Sequence, residues 1–159
     1  IKGNYIFYYC FSISQEIASF LHKVSKRTGM PVYFFEPKEW ALRCCWKNRI
    51  HLVPEYGPEA FLNYMKYATI VFTTSFHGTA FSTLFHKNFW YIDSGHNDPA
   101  KDDRAISFLN QLELVERYQT TDKLLSTDLH TKPDYTRSDV ALSKLRQEAF
   151  NYLGKIVND

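Results

Sequence analysis

Glycine and proline are scarce in this chain, six of each in 159 residues, and cysteine is scarcer still, at three. So few glycines and prolines, with no period, exclude a collagen-like or low-complexity chain. The cysteines are Cys10, Cys44 and Cys45. An odd count with two adjacent members builds no disulfide framework, and no Cys-x-x-Cys or Cys/His spacing suits zinc. A reducing, cytoplasmic setting is the expectation from that usage. Neither sign of charge dominates: 19 Lys and Arg against 17 Asp and Glu leave a formal net charge of +2. That is too small to point to nucleic acid or an anionic membrane as the main partner. Long apolar runs are also missing, and none approaches the roughly 20 residues of a transmembrane helix. His96, Asp98 and Asp102 lie close in sequence, but their spacing matches no metal site, so none is expected.

What the chain does have is aromatic and β-branched side chains. Hydrophobic residues make up 45% and aromatics 17%, with 13 Phe and 11 Tyr. Such a composition excludes disorder, and the length suits one α/β domain with a sizeable core. Tyr5–Phe11 (YIFYYCF) reads as a buried strand. Ser12 or Ser14 then offers an N-cap, Glu16 suits the first turn, and Ile17, Phe20, Leu21 and Val24 recur at helical spacing up to Gly29. Pro31–Phe35 is the next strand, which completes a β-α-β unit and implies parallel pairing.

Residues 36–49 read as a loop with one short helix. Trp40 and Trp46 stand there among Lys38, Arg43, Lys47 and Arg49, which suits contact with a sugar or lipid carrier or, more simply, a solvated loop. Ile50–Val53 is a short strand. Pro58 suits a first helical position, with Phe61, Leu62, Met65 and Ala68 as the apolar face. Strand Ile70–Thr73, helix Ser75–His86 and strand Phe89–Ile92 follow. Asp93–Asp103 reads as a polar loop and Asp103–Gln111 as a helix, and Tyr118–Thr136 reads as a polar connection. Ser138 is the expected cap of a C-terminal helix over 137–158, whose stripe of Leu142, Leu145, Ala149, Tyr152, Leu153 and Ile156 is expected to pack. The alternation predicts a Rossmann-like three-layer α/β domain with a mostly parallel sheet over 1–159.

The run Ile70–Phe85 (IVFTTSFHGTAFSTLF) is where chemistry is most expected. It sets Thr73, Thr74, Ser75, His77, Gly78 and Thr79 between a β-branched strand and an apolar helix. In a parallel sheet such a strand end faces the ligand crevice. The free N–H groups of the helix start there carry roughly half a positive charge, which favours phosphate or carboxylate. Thr74, Ser75 and Thr79 offer hydroxyls and His77 a group that titrates near neutrality. Each residue also has a purely structural reading. Thr74 or Ser75 can be a plain N-cap, and Gly78 can serve either ligand approach to the backbone or close helix–strand packing.

Residues 69–82, TIVFTTSFHGTAFS, resemble the signature of the polysaccharide pyruvyl transferase family, a strand followed by a Ser-Phe-His-Gly or Arg-Leu-His core. Gly57-Pro58-Glu59 with Phe61-Leu62 resembles the helix before that signature. Phe89 stands where the family's next strand begins. Arg104-Ala105-Ile106, Phe108-Leu109 and Leu112-Glu113-Leu114 resemble a later stretch. The likeness spans about Pro54–Arg117.

The resemblance implies the C-terminal half of a GT-B-like protein whose active site lies between two Rossmann-like halves. It implies transfer of a pyruvyl group from phosphoenolpyruvate to sugar hydroxyls, forming a ketal in surface polysaccharide synthesis, with no other cofactor. His77 matches the family histidine that contacts the donor, and its implied role is donor ligand and general acid. Thr74, Ser75, Gly78 and Thr79 are the anion-binding residues expected from the junction itself, and Arg104 joins them, its plain alternative being a first-turn helix residue in a surface ion pair. Ser75 stands where some members carry Arg, so the cation is expected from Arg104, Lys101 or the other half. The expected partners are the N-terminal half of the same protein, against which the resemblance sets part of the stripe of the last helix, and a sugar or polysaccharide acceptor. The chain alone is expected to be inactive, and the location cytoplasmic or peripheral to the inner membrane face. A GT-B glycosyltransferase using a nucleotide sugar and a non-catalytic sugar-binding or scaffold domain are the alternatives.

Overall fold

The computed structural model describes residues 3–93 and 104–158. Six strands form one sheet in the order β3-β2-β1-β4-β5-β6, with every neighbouring pair parallel. They are β1 Ile6–Tyr9, β2 Val32–Phe34, β3 Ile50–Leu52, β4 Ile70–Thr73, β5 Phe89–Asp93 and β6 Tyr118–Thr120. The strand order runs one way from β1 to β3, then restarts on the other side of β1 with β4. The topology therefore reverses between β1 and β4, where the crevice of an open parallel sheet forms.

Helices cover both faces, which gives the expected three-layer Rossmann-like architecture. On one face lie α1 (Gln15–Thr28), a 3₁₀ turn at Cys45–Asn48 and α6 (Thr121–Ser126), packed on Ile6, Tyr8, Phe34 and Phe72. On the other lie α3 (Pro58–Tyr67), α4 (Phe76–Leu84), α5 (Arg104–Gln111) and the start of α7 (Tyr135–Asn158), packed on Tyr5, Phe7, Val71 and Phe89. Consecutive residues of β1 and β4 thus serve opposite cores, as a sheet buried on both sides requires.

Local signals explain where several elements begin and end. Ser14 caps α1, its hydroxyl accepting from the Ile17 N–H at 3.1 Å, and Gly29 closes it in the left-handed region at φ 72°. Such a cap is worth about 1 kcal/mol. Pro58 occupies the first turn of α3 as expected.

Residues 36–49 hold the expected short helix, α2 (Pro37–Leu42), and the 3₁₀ turn besides. Three expectations need correction. The supposed connection 118–136 supplies β6 and α6; three polar residues at a sheet edge and a six-residue helix carry too little periodicity to be read. The last helix starts at Tyr135, and Asp134 accepts from the Thr136 N–H at 3.0 Å. Ser138 therefore lies inside the first turn, buried, its hydroxyl donating to the Tyr135 carbonyl. Finally, only Leu142 and Leu145 of the α7 stripe pack on the core. Ala149, Tyr152, Leu153 and Ile156 are exposed, because the helix outruns the sheet it started on.

Burial sets an alkaline limit on this fold. It pushes the Cys45 thiol from 9.0 up to about 11 and lifts the Tyr5, Tyr8 and Tyr135 phenols well above their usual value. In each case the native state holds its proton more tightly than the unfolded chain. The stabilisation is complete below the unfolded-state value and is lost as the pH climbs through the folded one. The urea midpoint is expected to stay level from neutrality to pH 9.0 and to fall between there and pH 11; an unchanged midpoint at the upper end contradicts the account.

Candidate functional site

The carboxyl ends of β1 and β4 meet at the reversal point, where Tyr9 pairs in register with Thr73. Thr73 is fully buried, and its hydroxyl fastens the place. It donates to the Tyr9 carbonyl at 2.6 Å and accepts from the Ser75 N–H at 3.0 Å. One side chain thus ties strand to strand and bends the chain toward α4. Ser75 has the extended backbone of an N-cap, but its own hydroxyl makes no capping bond.

Gly78 explains how α4 reaches the sheet. A Cβ built there would sit 2.1 Å from Thr73 Oγ1, 2.8 Å from Thr73 Cβ and 3.0 Å from Tyr9 Cδ1. Of the two readings of Gly78, the structure supports close packing of helix on strand. The same economy runs along the helix. Its buried residues are Gly78, Thr79, Ser82 and Thr83, while its aromatic and leucine side chains are partly or largely exposed. An apolar helix commonly buries its large side chains; here small residues face the sheet because only they allow the close approach.

The remaining expected residues divide into two groups. Thr79 is fully buried, and its hydroxyl donates to the Ser75 carbonyl at 3.1 Å, so it lies beneath the junction. Thr74 is half-buried, with its hydroxyl donating to Cys10 Sγ at 2.7 Å. Its carbonyl accepts from the Tyr91 phenol at 3.0 Å, which fastens the turn to β5. Ser75 is half-buried and His77 exposed, at the mouth of the junction. His77 packs edge-on against Phe76 with ring centroids 5.7 Å apart.

Arg104 joins this group across a gap in sequence. It opens α5, and its guanidinium carbon lies 5.5 Å from the centre of the Phe76 ring, within cation–π range. Phe108, one turn later, meets the same ring edge-on at 5.6 Å. A cation and an imidazole therefore flank one aromatic ring at the start of a nine-residue helix. Backbone N–H groups in such a first turn lack intrahelical partners. Lys101, His96, Asp98 and Asp102 lie outside the described residues, and among the described residues no cluster of three His, Cys, Asp or Glu could hold a metal.

The family model for polysaccharide pyruvyl transferase matches residues 1–96. The chain belongs to the polysaccharide pyruvyl transferase family. The match covers β1 to β5 and the whole junction, and so reaches further toward the N-terminus than the likeness over 54–117. It stops short of Arg104, which reaches the junction only through its contact with Phe76. No curated protein matches the chain.

Tyr9 and Cys10 were not expected in the site of this pyruvyl transferase family chain. They read as the end of a buried strand, and no local motif marks them; only the Rossmann-like strand order sets β1 beside β4. Both also line a groove of about 800 Å³ that opens next to the junction.

Gly78→Ala is expected to lower stability by about 1–3 kcal/mol, the usual cost of forcing a methyl into a filled space. The first atoms struck belong to a buried threonine tied at both ends and cannot swing aside. Urea denaturation measures it; a variant as stable as the parent contradicts the close approach.

Proposed function

We propose that the junction binds the donor of a pyruvyl transferase, phosphoenolpyruvate, and that this chain forms one wall of a cleft completed by a second Rossmann-like half in a GT-B-like arrangement. The observation that carries this reading is the convergence of His77 and Arg104 on Phe76 at the start of α4. Phosphoenolpyruvate carries a carboxylate and a phosphate on one small carbon skeleton, so it needs an anion site with more than one kind of donor. The α4 N–H groups supply one such site and Arg104 a planar pair of donors. Arg104 takes the part that an arginine at position 75 takes in some family members.

The chemistry assigned to His77 is proton delivery. A proton added to the methylene carbon of phosphoenolpyruvate makes a methyl group and leaves positive charge on the carbon that bears the phosphate. One sugar hydroxyl adds to that carbon and loses its proton. Phosphate departs, a second hydroxyl adds and loses its proton, and the products are the cyclic ketal and inorganic phosphate. Of the two protons the hydroxyls release, one balances that taken up by the methyl and the other leaves with phosphate. His77 acts as general acid in the first step, and the exposed position of its ring leaves it open to substrate. The reaction belongs to surface polysaccharide synthesis at the cytoplasmic face, and no helix among the described residues is long and apolar enough to cross a membrane.

With phosphoenolpyruvate and a sugar acceptor, and with the second half supplied, His77→Ala is expected to lower turnover by about 10²–10⁴-fold, the usual contribution of a general acid. Unchanged turnover, or unchanged ketal content of the polysaccharide, contradicts the catalytic assignment of His77. Arg104→Ala is expected to weaken phosphoenolpyruvate binding roughly tenfold or more in calorimetry, from the loss of charge-assisted hydrogen bonds, with Arg104→Lys intermediate. Thermal shift separates the donors: stabilisation by a nucleotide sugar and not by phosphoenolpyruvate favours the glycosyltransferase reading.

A further inference from the structure

The groove beside the junction has a composition of its own. Five aromatic rings run along it in an unbroken string. Phe11 meets Tyr9 at 6.0 Å between ring centroids, Tyr9 meets Phe61 at 4.6 Å, Phe61 meets Phe35 at 6.1 Å, and Phe35 meets Tyr56 at 6.0 Å. All five line the groove. The two ends of the string are open to solvent: Phe11 is 68% exposed and Tyr56 52%. Large rings left bare on the rim of a concave surface mark a place where something is bound.

The polar lining narrows the occupant. Glu36, Lys38 and Glu39 are the charged residues of the groove. Glu36 Oε1 accepts from the Lys38 N–H at 3.2 Å, and Glu39 Oε2 lies 3.5 Å from both the Ile13 nitrogen and Arg43 Nε. The second oxygen of each carboxylate has no hydrogen-bond partner among the described residues. With Lys38 and Arg43 set against them, the two carboxylates leave no positive excess to hold a phosphate-bearing ligand. Carboxylate oxygens instead accept hydrogen bonds from hydroxyls, and ring faces cover apolar C–H surface. A pyranose presents both, hydroxyls around its rim and C–H bonds on its face. The volume, about 800 Å³, lies within the ordinary range of small-molecule sites.

The groove also touches the place where the donor would react. Tyr9 stands against Gly78, and Cys10 accepts the Thr74 hydroxyl. A sugar lying on the ring string would bring its inner hydroxyls beside Tyr9 and Cys10, the two groove residues that touch the junction at Gly78 and Thr74. We infer that this groove is the acceptor subsite, which holds a pyranose ring face-on between Phe11 and Tyr56 with Glu36 and Glu39 accepting its hydroxyls. The assignment as acceptor rests on the pyruvyl transferase reading; sugar binding in the groove does not.

The experiment is a titration of the chain, followed by aromatic and amide NMR shifts, with the methyl glycosides of glucose, galactose and N-acetylglucosamine, and separately with phosphoenolpyruvate and uridine monophosphate. At least one glycoside is expected to shift the rings of Phe11, Tyr56 and Phe61 saturably, and the Phe11→Ala/Tyr56→Ala double variant to bind it at least tenfold more weakly. Both rings are exposed enough to be removed without opening the core, and Phe11→Trp, which keeps a ring, is expected to retain binding. Phosphoenolpyruvate is expected to shift residues 74–79 equally in parent and double variant. The inference is overturned if no glycoside saturates, if glycoside shifts fall on the junction instead of the groove, if the double variant binds as the parent does, or if uridine monophosphate takes the groove in preference. Should a glycoside fill the groove while phosphoenolpyruvate leaves residues 74–79 unmoved, the donor assignment fails and the sugar site stands.

Discussion

The hydroxyl of Thr73 is the point on which the site depends. It is buried at the end of β4 and bonded both to the Tyr9 carbonyl of β1 and to the Ser75 N–H that leads into α4. Those two bonds join three elements at the one place where the sheet topology reverses. A buried hydroxyl with both capacities used loses nothing by burial, whereas an unused one would cost about 1–3 kcal/mol. The absence of a side chain at position 78 is the other half of the same constraint. Thr73 can sit there only because nothing projects from the helix above it.

From that fastening the rest of the candidate site follows. α4 lies close on the sheet, so its first turn opens at the strand ends and not above a helix flank. Phe76 then projects sideways, where Phe108 and Arg104 of α5 meet it. A residue distant in sequence arrives beside His77 through contact with the ring next to it. On the other side, Tyr9 and Cys10 carry the junction into the aromatic groove. The sheet holds these pieces at fixed separation because its central strands are buried on both faces by aromatic side chains such as Phe7, Phe34 and Phe72.

The legible parts of this fold were those with strong local signals. Ser14, Glu16 and Gly29 mark both ends of α1, and Pro58 marks the start of α3. The β-branched run before Thr73 could only be a buried strand. Illegible parts had weak signals or depended on distant neighbours. β6 is three residues at a sheet edge, and its pairing with β5 sets it, not its own composition. Ser138 looked like a cap because serine favours caps, yet the helix began one turn earlier at an aspartate. The stripe on α7 looked like packing because amphipathic period cannot say how far the sheet beneath it extends.

The site divides in the same way. His77, Thr74, Ser75, Gly78 and Thr79 were visible as a group because they are contiguous, and so was the family they indicate. What the sequence by itself determined is the strand–turn–helix unit with its polar turn, since φ/ψ preference, capping and hydrophobic period act over a few residues. Only the tertiary structure decided which of those residues face outward. It buried Thr73 and Thr79 as fasteners, exposed His77, and brought Arg104 to Phe76. It also collected Phe11, Phe35, Tyr56 and Phe61 around Tyr9 into one groove. Parallel strand order is fixed by packing on both faces of a sheet, a long-range property that no window of sequence contains.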